Sequence, residues 1–347
     1  MVTLVVLAAL SLAVVYSASG QSSDRTLGQA RNFAVALVVL WVAAKIPPQQ
    51  LMRLAVPIYL AGLGLLISVA LFGDIRNGAR RWLNLGFVTV QPSEIMKVGV
   101  PLLLAAYFHR KEEGLSVKDY AIAGLILMLP TGLIMRQPDL GTSVLIFASG
   151  FFVIFLAGLS WKLLISGAVA GLAALPLAWP MLHDYQRNRV LTLLDPNSDP
   201  LGAGYHIIQS TIAIGSGGVF GKGWLNGSQS QLDFIPERST DFILAVLGEE
   251  FGLIGLLLLI TLYMIVIGRG LMIALNAPTT FSRLLAGAIT MTFFTYAFVN
   301  IGMVSGVLPV VGVPLPLVSY GGTAILSMFM GFGILMSIAS HKRLVST

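Results

Sequence analysis

The sequence predicts an all-α polytopic membrane protein, with about ten transmembrane helices in a single integral membrane domain spanning residues 1–347. Three observations carry this. Hydrophobic residues make up 56% of the chain and charged residues only 10%, against roughly 25% charged in a soluble globular protein. Mean hydropathy is +0.87, and the apolar residues fall in runs near the roughly 20 needed to cross a bilayer core of about 30 Å. There are no cysteines, which removes disulfide scaffolds, thiolate metal sites and cysteine nucleophiles. The 21 Lys+Arg against 15 Asp+Glu leave +6. In a membrane protein such an excess belongs first to the loops, so no nucleic-acid partner is expected.

The spans fall at residues 2–16, 31–46, 54–72, 92–108, 120–135, 140–158, 162–181, 241–267, 283–305 and 320–340. The first has no basic leader and no small-residue cleavage pattern, so it reads as a span and not as a signal peptide. Tyr16-Ser17-Ala18-Ser19 is its exit. Between the third and fourth spans, Arg80, Arg81 and Trp82 sit at a membrane edge, where Trp82 fits an interfacial anchor. The fourth span opens on Pro92, which suits a first helical turn. Glu94 and Lys97, three apart, share one face and are close enough to pair. Two readings fit them: a polar element holding a cavity open, or a structural ion pair between helices. Arg136-Gln-Pro-Asp-Leu-Gly141 is a tight turn, with Asp139 placed to cap the sixth span.

A large extracytoplasmic loop, residues 182–240, separates the seventh span from the eighth and is the only soluble-looking part. It begins with the turn-rich Asp195-Pro-Asn-Ser-Asp-Pro200. Tyr205-His-Ile-Ile-Gln-Ser-Thr-Ile-Ala-Ile214 is apolar enough to lie in the interface as a short helix. The run Gly215-Ser-Gly-Gly-Val-Phe-Gly-Lys-Gly223 is not a phosphate-binding P-loop, because no Ser or Thr follows Lys222 and the spacing fails. Its glycines permit tight turns beside a ligand or a membrane surface. Ser239 or Thr240 would cap the eighth span, leaving Asp241 in its first turn. There the helix dipole and nearby Arg would keep Asp241 ionised. Glu249 and Glu250 would lie about 12 Å deeper, a depth that solubility does not explain. His109, His183, His206 and His341 show no ligand spacing.

Ten spans put both termini on one side. Ten Lys and Arg fall on each side, and Lys97 sits within a span. Discounting the long loop, as the positive-inside rule requires, leaves ten on the terminal side against six, which places both termini in the cytoplasm. The outer side carries nine Arg and one Lys. Arg forms a planar fork suited to carboxylate and phosphate. The outer Arg therefore fit an anionic ligand, or ion pairs with Asp74, Asp184 and Glu237 of the same loops.

Several stretches together resemble the SEDS family of bacterial shape, elongation, division and sporulation proteins. They are residues 77–86, 91–97, 137–142, 204–210, 215–223, 236–250 and 314–322, in the family's order over nearly the whole chain. Residues 221–232 resemble the rod-shape elongation member more than the division member. Ser239 departs from the His carried by many relatives. The resemblance implies a peptidoglycan glycosyltransferase that polymerises lipid II into glycan strands at the outer face of the bacterial inner membrane, for cell elongation and shape. It implies a class B penicillin-binding protein, a transpeptidase, as partner within the elongation machinery. By position it makes Asp241 the catalytic residue and associates Arg80 and Trp82 with substrate, and it matches Glu94 and Lys97 to a buried ion pair. Arg238, beside Asp241 on the Arg-bearing rim, is a further substrate-binding candidate, and Glu249 and Glu250 are secondary candidates. No metal motif stands out, so Mg²⁺ or Mn²⁺ is an expectation tied only to the pyrophosphate leaving group. A lipid flippase and a non-enzymatic scaffold for the transpeptidase are the rival readings. A flippase needs polar groups through the full depth of the membrane, whereas here Asp241 and the Arg cluster at one rim.

Overall fold

Within a bilayer every backbone N–H and C=O must be satisfied internally, which leaves helices as the economical solution for an apolar chain. The computed structural model describes residues 1–76, 79–84, 89–111, 114–181, 184–199 and 202–341. Asn77, Gly86, His183, Pro200, Lys342 and Arg343, which enter the sequence reading, lie outside the described residues. The long helices are α1 (Val2–Ala18), α2 (Ser23–Lys45), α3 (Pro48–Phe72), α4 (Pro92–His109), α5 (Val117–Arg136), α6 (Leu140–Leu156) and α7 (Trp161–Ala178). After the long loop, with its shorter helices α8 (Asp184–Leu194), α9 (Ala203–Ser216) and α10 (Ser228–Gln231), come α11 (Ile243–Leu275), α12 (Thr280–Val304) and α13 (Gly322–Ser340). Each expected span thus has its helix. Among the described residues six of these, α2, α3, α5, α11, α12 and α13, are individually long and apolar enough to cross a membrane. The chain is a multi-pass membrane protein.

Several boundaries differ from the apolar runs, for local reasons. Helix α2 starts well before residue 31 because Ser22 caps it, its Oγ accepting from the Arg25 N–H at 3.4 Å, with Asp24 in the first turn. Asp139 caps α6 as expected, accepting from the Thr142 N–H at 3.1 Å. The segment between α3 and α4 is not irregular. It forms a small antiparallel sheet, β1 (Asp74–Arg76), β2 (Ala79–Asn84) and β3 (Thr89–Val90), in the order β1-β2-β3. Backbone leaving a helix needs new partners, and strand pairing supplies them. The register sets Asp74 opposite Trp82 and Leu83 opposite Val90.

The main core lies among α1 to α6 and α11 to α13, with Phe242, Phe281 and Phe329 among its largest fully buried side chains. None of the described side chains of α7 is buried. Helix α9 does not simply rest in the interface. It packs on α11 and α12, and its Ser210 Oγ donates to the Val304 carbonyl at 2.9 Å.

The Gly-rich run explains the course of α11. That helix breaks at Gly252, whose φ of 63° interrupts the helical ladder. A break leaves donors and acceptors without intrahelical partners. Here the loop takes them up: the Leu253 and Ile254 N–H groups donate to the Gly218 and Val219 carbonyls at 3.0 and 3.2 Å. In return, Lys222 and Gly223 donate to the Glu249 and Glu250 carbonyls, each at 3.0 Å. The strands of this exchange approach so closely that a Cβ on Gly221 would meet the Glu250 carbonyl, and one on Gly252 would meet the Gly221 nitrogen. Tight turning, expected of these glycines, is therefore only part of their role. The larger part is contact of backbone on backbone.

Gly221→Ala and Gly252→Ala should each lower stability by about 2–4 kcal/mol, since each adds a methyl to a backbone contact at a positive φ. Gly124→Ala in α5, with open space around it, should be neutral or slightly stabilising. Thermal melts of the three variants in detergent check this ordering.

Candidate active site

The turn ahead of α11 is built on Glu237, which takes the left-handed region at φ 49°. Its carbonyl accepts from the Thr240 N–H at 3.0 Å and the Phe242 N–H at 3.2 Å. This corrects the expected cap. Phe242, not Ser239 or Thr240, precedes the first helical residue, and no side chain caps it. The two hydroxyls are engaged elsewhere: Ser239 Oγ accepts from Arg25 at 3.3 Å, and Thr240 Oγ1 donates to the Glu237 carboxylate at 2.8 Å.

Asp241 consequently lies in the turn, ahead of the helix and not within its first turn. Its carboxyl is half-buried and pushed up to about 6, first by burial and then by the nearby Glu237 charge, with Arg189 of α8 opposing. The expectation that dipole and Arg keep it ionised is weakened, because desolvation and a like charge outweigh one cation, although a carboxyl at about 6 is still mostly anionic at neutral pH. Gly312, at φ 74°, faces the carboxylate: a Cβ there would lie 3.4 Å from Asp241 Oδ2. On the α9 side the His206 ring packs 5.3 Å from that of Phe242, centroid to centroid. Burial lowers the pKa of His206 against the pull of Glu237 and Asp199, which favours a neutral imidazole. Nothing in the spacing of His206 signalled this. Only the docking of α9 on α11 brings it to the turn.

The other sequence-selected residues divide into groups. Lys97 and Glu94 pair at 2.7 Å within α4, so the pair is intrahelical and does not join two helices directly. A third member comes from α12: the Lys97 ammonium lies 5.2 Å from the ring centre of Tyr296, within cation–π range. Glu94 and Gln91 line a groove of about 450 Å³ whose walls include Ile58, Ile95, Leu326 and Met330. Arg80 is exposed on β2 and Trp82 partly so. Their neighbour Arg81 pairs with Asp139 at 3.6 Å and donates to the Pro138 carbonyl at 2.7 Å. This arginine was not singled out as a site residue, yet it is the one tied to the turn between α5 and α6. The segment after α12 links the two regions, with the Val311 carbonyl against Gly141 and Gly312 against Asp241.

Arg238, expected to meet substrate, is engaged within the loop: it pairs with Asp233 at 2.6 Å and donates to the Ser230 carbonyl. Glu249 and Glu250 are both buried. Glu249 accepts from Lys222 Nζ at 2.7 Å and from the Gln229 and Ser230 N–H groups at 2.9 and 3.1 Å. Glu250 accepts from Ser17 of α1. Their depth has a structural cause, since Glu249 ties the returning loop, and Glu250 ties α1, to the helix break. Among the described residues no group of three or more His, Asp or Glu side chains converges as a metal cage.

Comparisons with known proteins agree with this architecture. The family described as Cell cycle protein, FtsW/RodA/SpoVE, matches residues 1–344. The peptidoglycan glycosyltransferase MrdB of Escherichia coli (strain K12) is 55% identical over 340 residues, covering 97% of this chain and 91% of the relative. A chain from a solved peptidoglycan synthase complex, concerned with coordinating polymerization and crosslinking, is 34% identical with a TM-score of 0.83, covering 97% of this chain and 96% of that one. The rod shape determining protein RodA of Thermus thermophilus is 28% identical with a TM-score of 0.73, covering 97% and 94%.

Removing either partner of the Glu94–Lys97 pair leaves a desolvated charge, at a cost of about 3–5 kcal/mol. Glu94→Ala and Lys97→Ala should each reduce folded yield and melting temperature. The exchanged pair, Glu94→Lys with Lys97→Glu, should recover part of the loss. Melting curves of both alanine variants that overlie the parent's would show the pair to be dispensable.

Proposed function

The chain belongs to the FtsW/RodA/SpoVE family of cell cycle proteins, and from that premise we propose that it is a peptidoglycan glycosyltransferase that polymerises lipid II into glycan strands for cell elongation. The observation that carries the reading is Asp241: a half-buried carboxyl in the turn ahead of α11, faced by Gly312 and influenced by Arg189 of the long loop, with its pKa raised to about 6. The reaction joins the 4-hydroxyl of an acceptor sugar to the anomeric carbon of a donor, and the donor's bond to pyrophosphate breaks. The hydroxyl proton needs an acceptor as the new bond forms. A carboxylate whose pKa lies near the working pH is better suited to this than one fully stabilised as an anion. The surroundings of Asp241 thus make it a stronger base than a helix-start carboxylate held by the dipole and Arg would be.

Arg189, Arg80 and Arg81 supply cationic character near the same rim, suited to a pyrophosphate through bidentate bonds. The apolar groove beside Glu94 suits a prenyl chain entering from the membrane. Among the described residues no group of three or more His, Asp or Glu side chains could hold a metal ion. A Mg²⁺ or Mn²⁺ ion carried on the substrate's pyrophosphate would meet Asp241 and would supply positive charge to the leaving group. The site then faces the outside of the bacterial inner membrane, both termini lie in the cytoplasm, and a class B penicillin-binding protein cross-links the product. The synthase complex to which one neighbour belongs supports that pairing.

Purified protein given lipid II, with and without its transpeptidase, should form glycan chains that persist when cross-linking is inhibited. Transport of the lipid across vesicles without polymer would contradict the reading. Asp241→Asn keeps size and removes charge. It should fold and bind lipid II, yet lose polymer formation by at least about 10²-fold.

The pH dependence has a definite sign. A base whose folded pKa is raised to about 6 is protonated, and inactive, below that value. Turnover of the parent should therefore rise tenfold per pH unit below about 6 and level above it. The residual turnover of Asp241→Asn should lack that limb.

A further inference from the structure

The turn that carries Asp241 exposes three successive backbone carbonyls, and each is held by a different donor. The Tyr320 N–H donates to Ser239 O at 2.9 Å. Ser319 Oγ donates to Thr240 O at 2.6 Å. Asn300 Nδ2, from α12, donates to Asp241 O at 2.8 Å and, with its second hydrogen, to Val313 O at 2.7 Å. Two of the donors belong to the segment between α12 and α13, which also brings Gly312 against the Asp241 carboxylate. Asn300 is the member that joins everything: one amide group bonds the turn, through Asp241, and the segment, through Val313.

Its chemistry is specific. Two carbonyl acceptors fix the amide orientation, because only the NH₂ end donates twice. Asn300 is fully buried, and its Oδ1 has no partner among the described residues. A buried acceptor left in this state costs stability. An apolar residue of similar size would avoid that cost but would release both carbonyls. Packing alone therefore gives no reason for asparagine here, whereas placement of Asp241 does.

We infer that Asn300 is a positioning residue for the glycosyl transfer: through its paired bonds to Asp241 O and Val313 O it fixes the Asp241 carboxylate against Gly312 and the acceptor sugar. It touches no substrate itself. Ser319 and Tyr320 extend the same clamp, and Ser319 is itself set by the Leu315 N–H, donating to its Oγ at 2.8 Å, and by Gln29 Nε2, donating to its carbonyl at 3.0 Å. Gln29 is fully buried on α2, so the clamp is anchored to the helical core.

The inference rests on the reading of Asp241 as the base, and the test separates the two. Asn300→Leu, close to isosteric, should be made in the full chain and purified with its transpeptidase. With lipid II as substrate, kcat should fall on the order of 10–100-fold, the scale of a misplacement of about 1 Å, while KM stays within about twofold. Hydrogen exchange at the Thr240 and Phe242 amides, which bond Glu237, should quicken. Ser319→Ala, which frees one carbonyl of the turn and the Leu315 N–H, should show a smaller loss in kcat with the same KM and guards against misfolding of the first variant. A merely structural asparagine would lower folded yield and leave kcat per folded molecule intact, and that result, or unchanged exchange at Thr240 and Phe242, overturns the inference. Failure of the unsubstituted complex to make any glycan would instead remove the functional reading, and the exchange measurement would still decide whether Asn300 holds the turn.

Discussion

The break in α11 at Gly252, closed by the Gly-rich segment, is the contact on which the region around Asp241 depends. A 33-residue helix with an interior φ of 63° must lose hydrogen bonds at the break. In an apolar setting those groups cannot turn to water, and each would cost several kcal/mol. The four backbone bonds between residues 218–223 and 249–254 recover them. They also decide where the chain goes next. From that contact it runs past Trp224, whose Nε1 donates to the Ala13 carbonyl of α1 at 3.0 Å, and on to the Asp241 turn.

Buried charge divides according to the same logic. Glu249 and the Lys222 that pairs with it fasten the loop to the break, and Glu250 fastens α1 there through Ser17. Glu94 and Lys97 face each other on α4 with Tyr296 above the ammonium. Glu249, Glu94 and Lys97 each meet an opposite charge, as low dielectric demands. Asp241 has no such close partner among the described residues: burial first and then Glu237 raise its pKa, and Arg189 only partly offsets this. A carboxyl raised towards neutral pH is suited to exchanging a proton, whereas Glu249 is suited to holding structure.

The candidate site is therefore assembled from separate parts of the chain. The turn at 237–242 supplies Asp241, α8 supplies Arg189, α9 supplies His206, and the segment after α12 supplies Gly312. Rigidity comes from hydrogen bonds to backbone carbonyls, which are independent of side-chain rotamers and so hold direction closely. Polar groups that do this in the core, Asn300 and Gln29 foremost, belong to the site although neither carries charge.

Much of this was legible in the sequence. Apolar run length determined the ten helices, because the thickness of a bilayer fixes how many residues a span needs. The i, i+3 spacing of Glu94 and Lys97 determined their pairing, since helical geometry alone puts them on one face. The order of short motifs identified the family and singled out Asp241. Contacts between distant segments were not legible. The sheet at 74–90, the docking of α9, the engagement of Arg238 by Asp233, and the closure of Gly221 on Gly252 all join residues whose local sequence carries no sign of the partner. The same holds for the ionisation of Asp241. Sequence reasoning put it in the first turn of the eighth span, where the dipole favours the anion. The upward shift of its pKa follows from desolvation first and then from Glu237, and only the tertiary structure determines how much water and which charges a carboxyl meets.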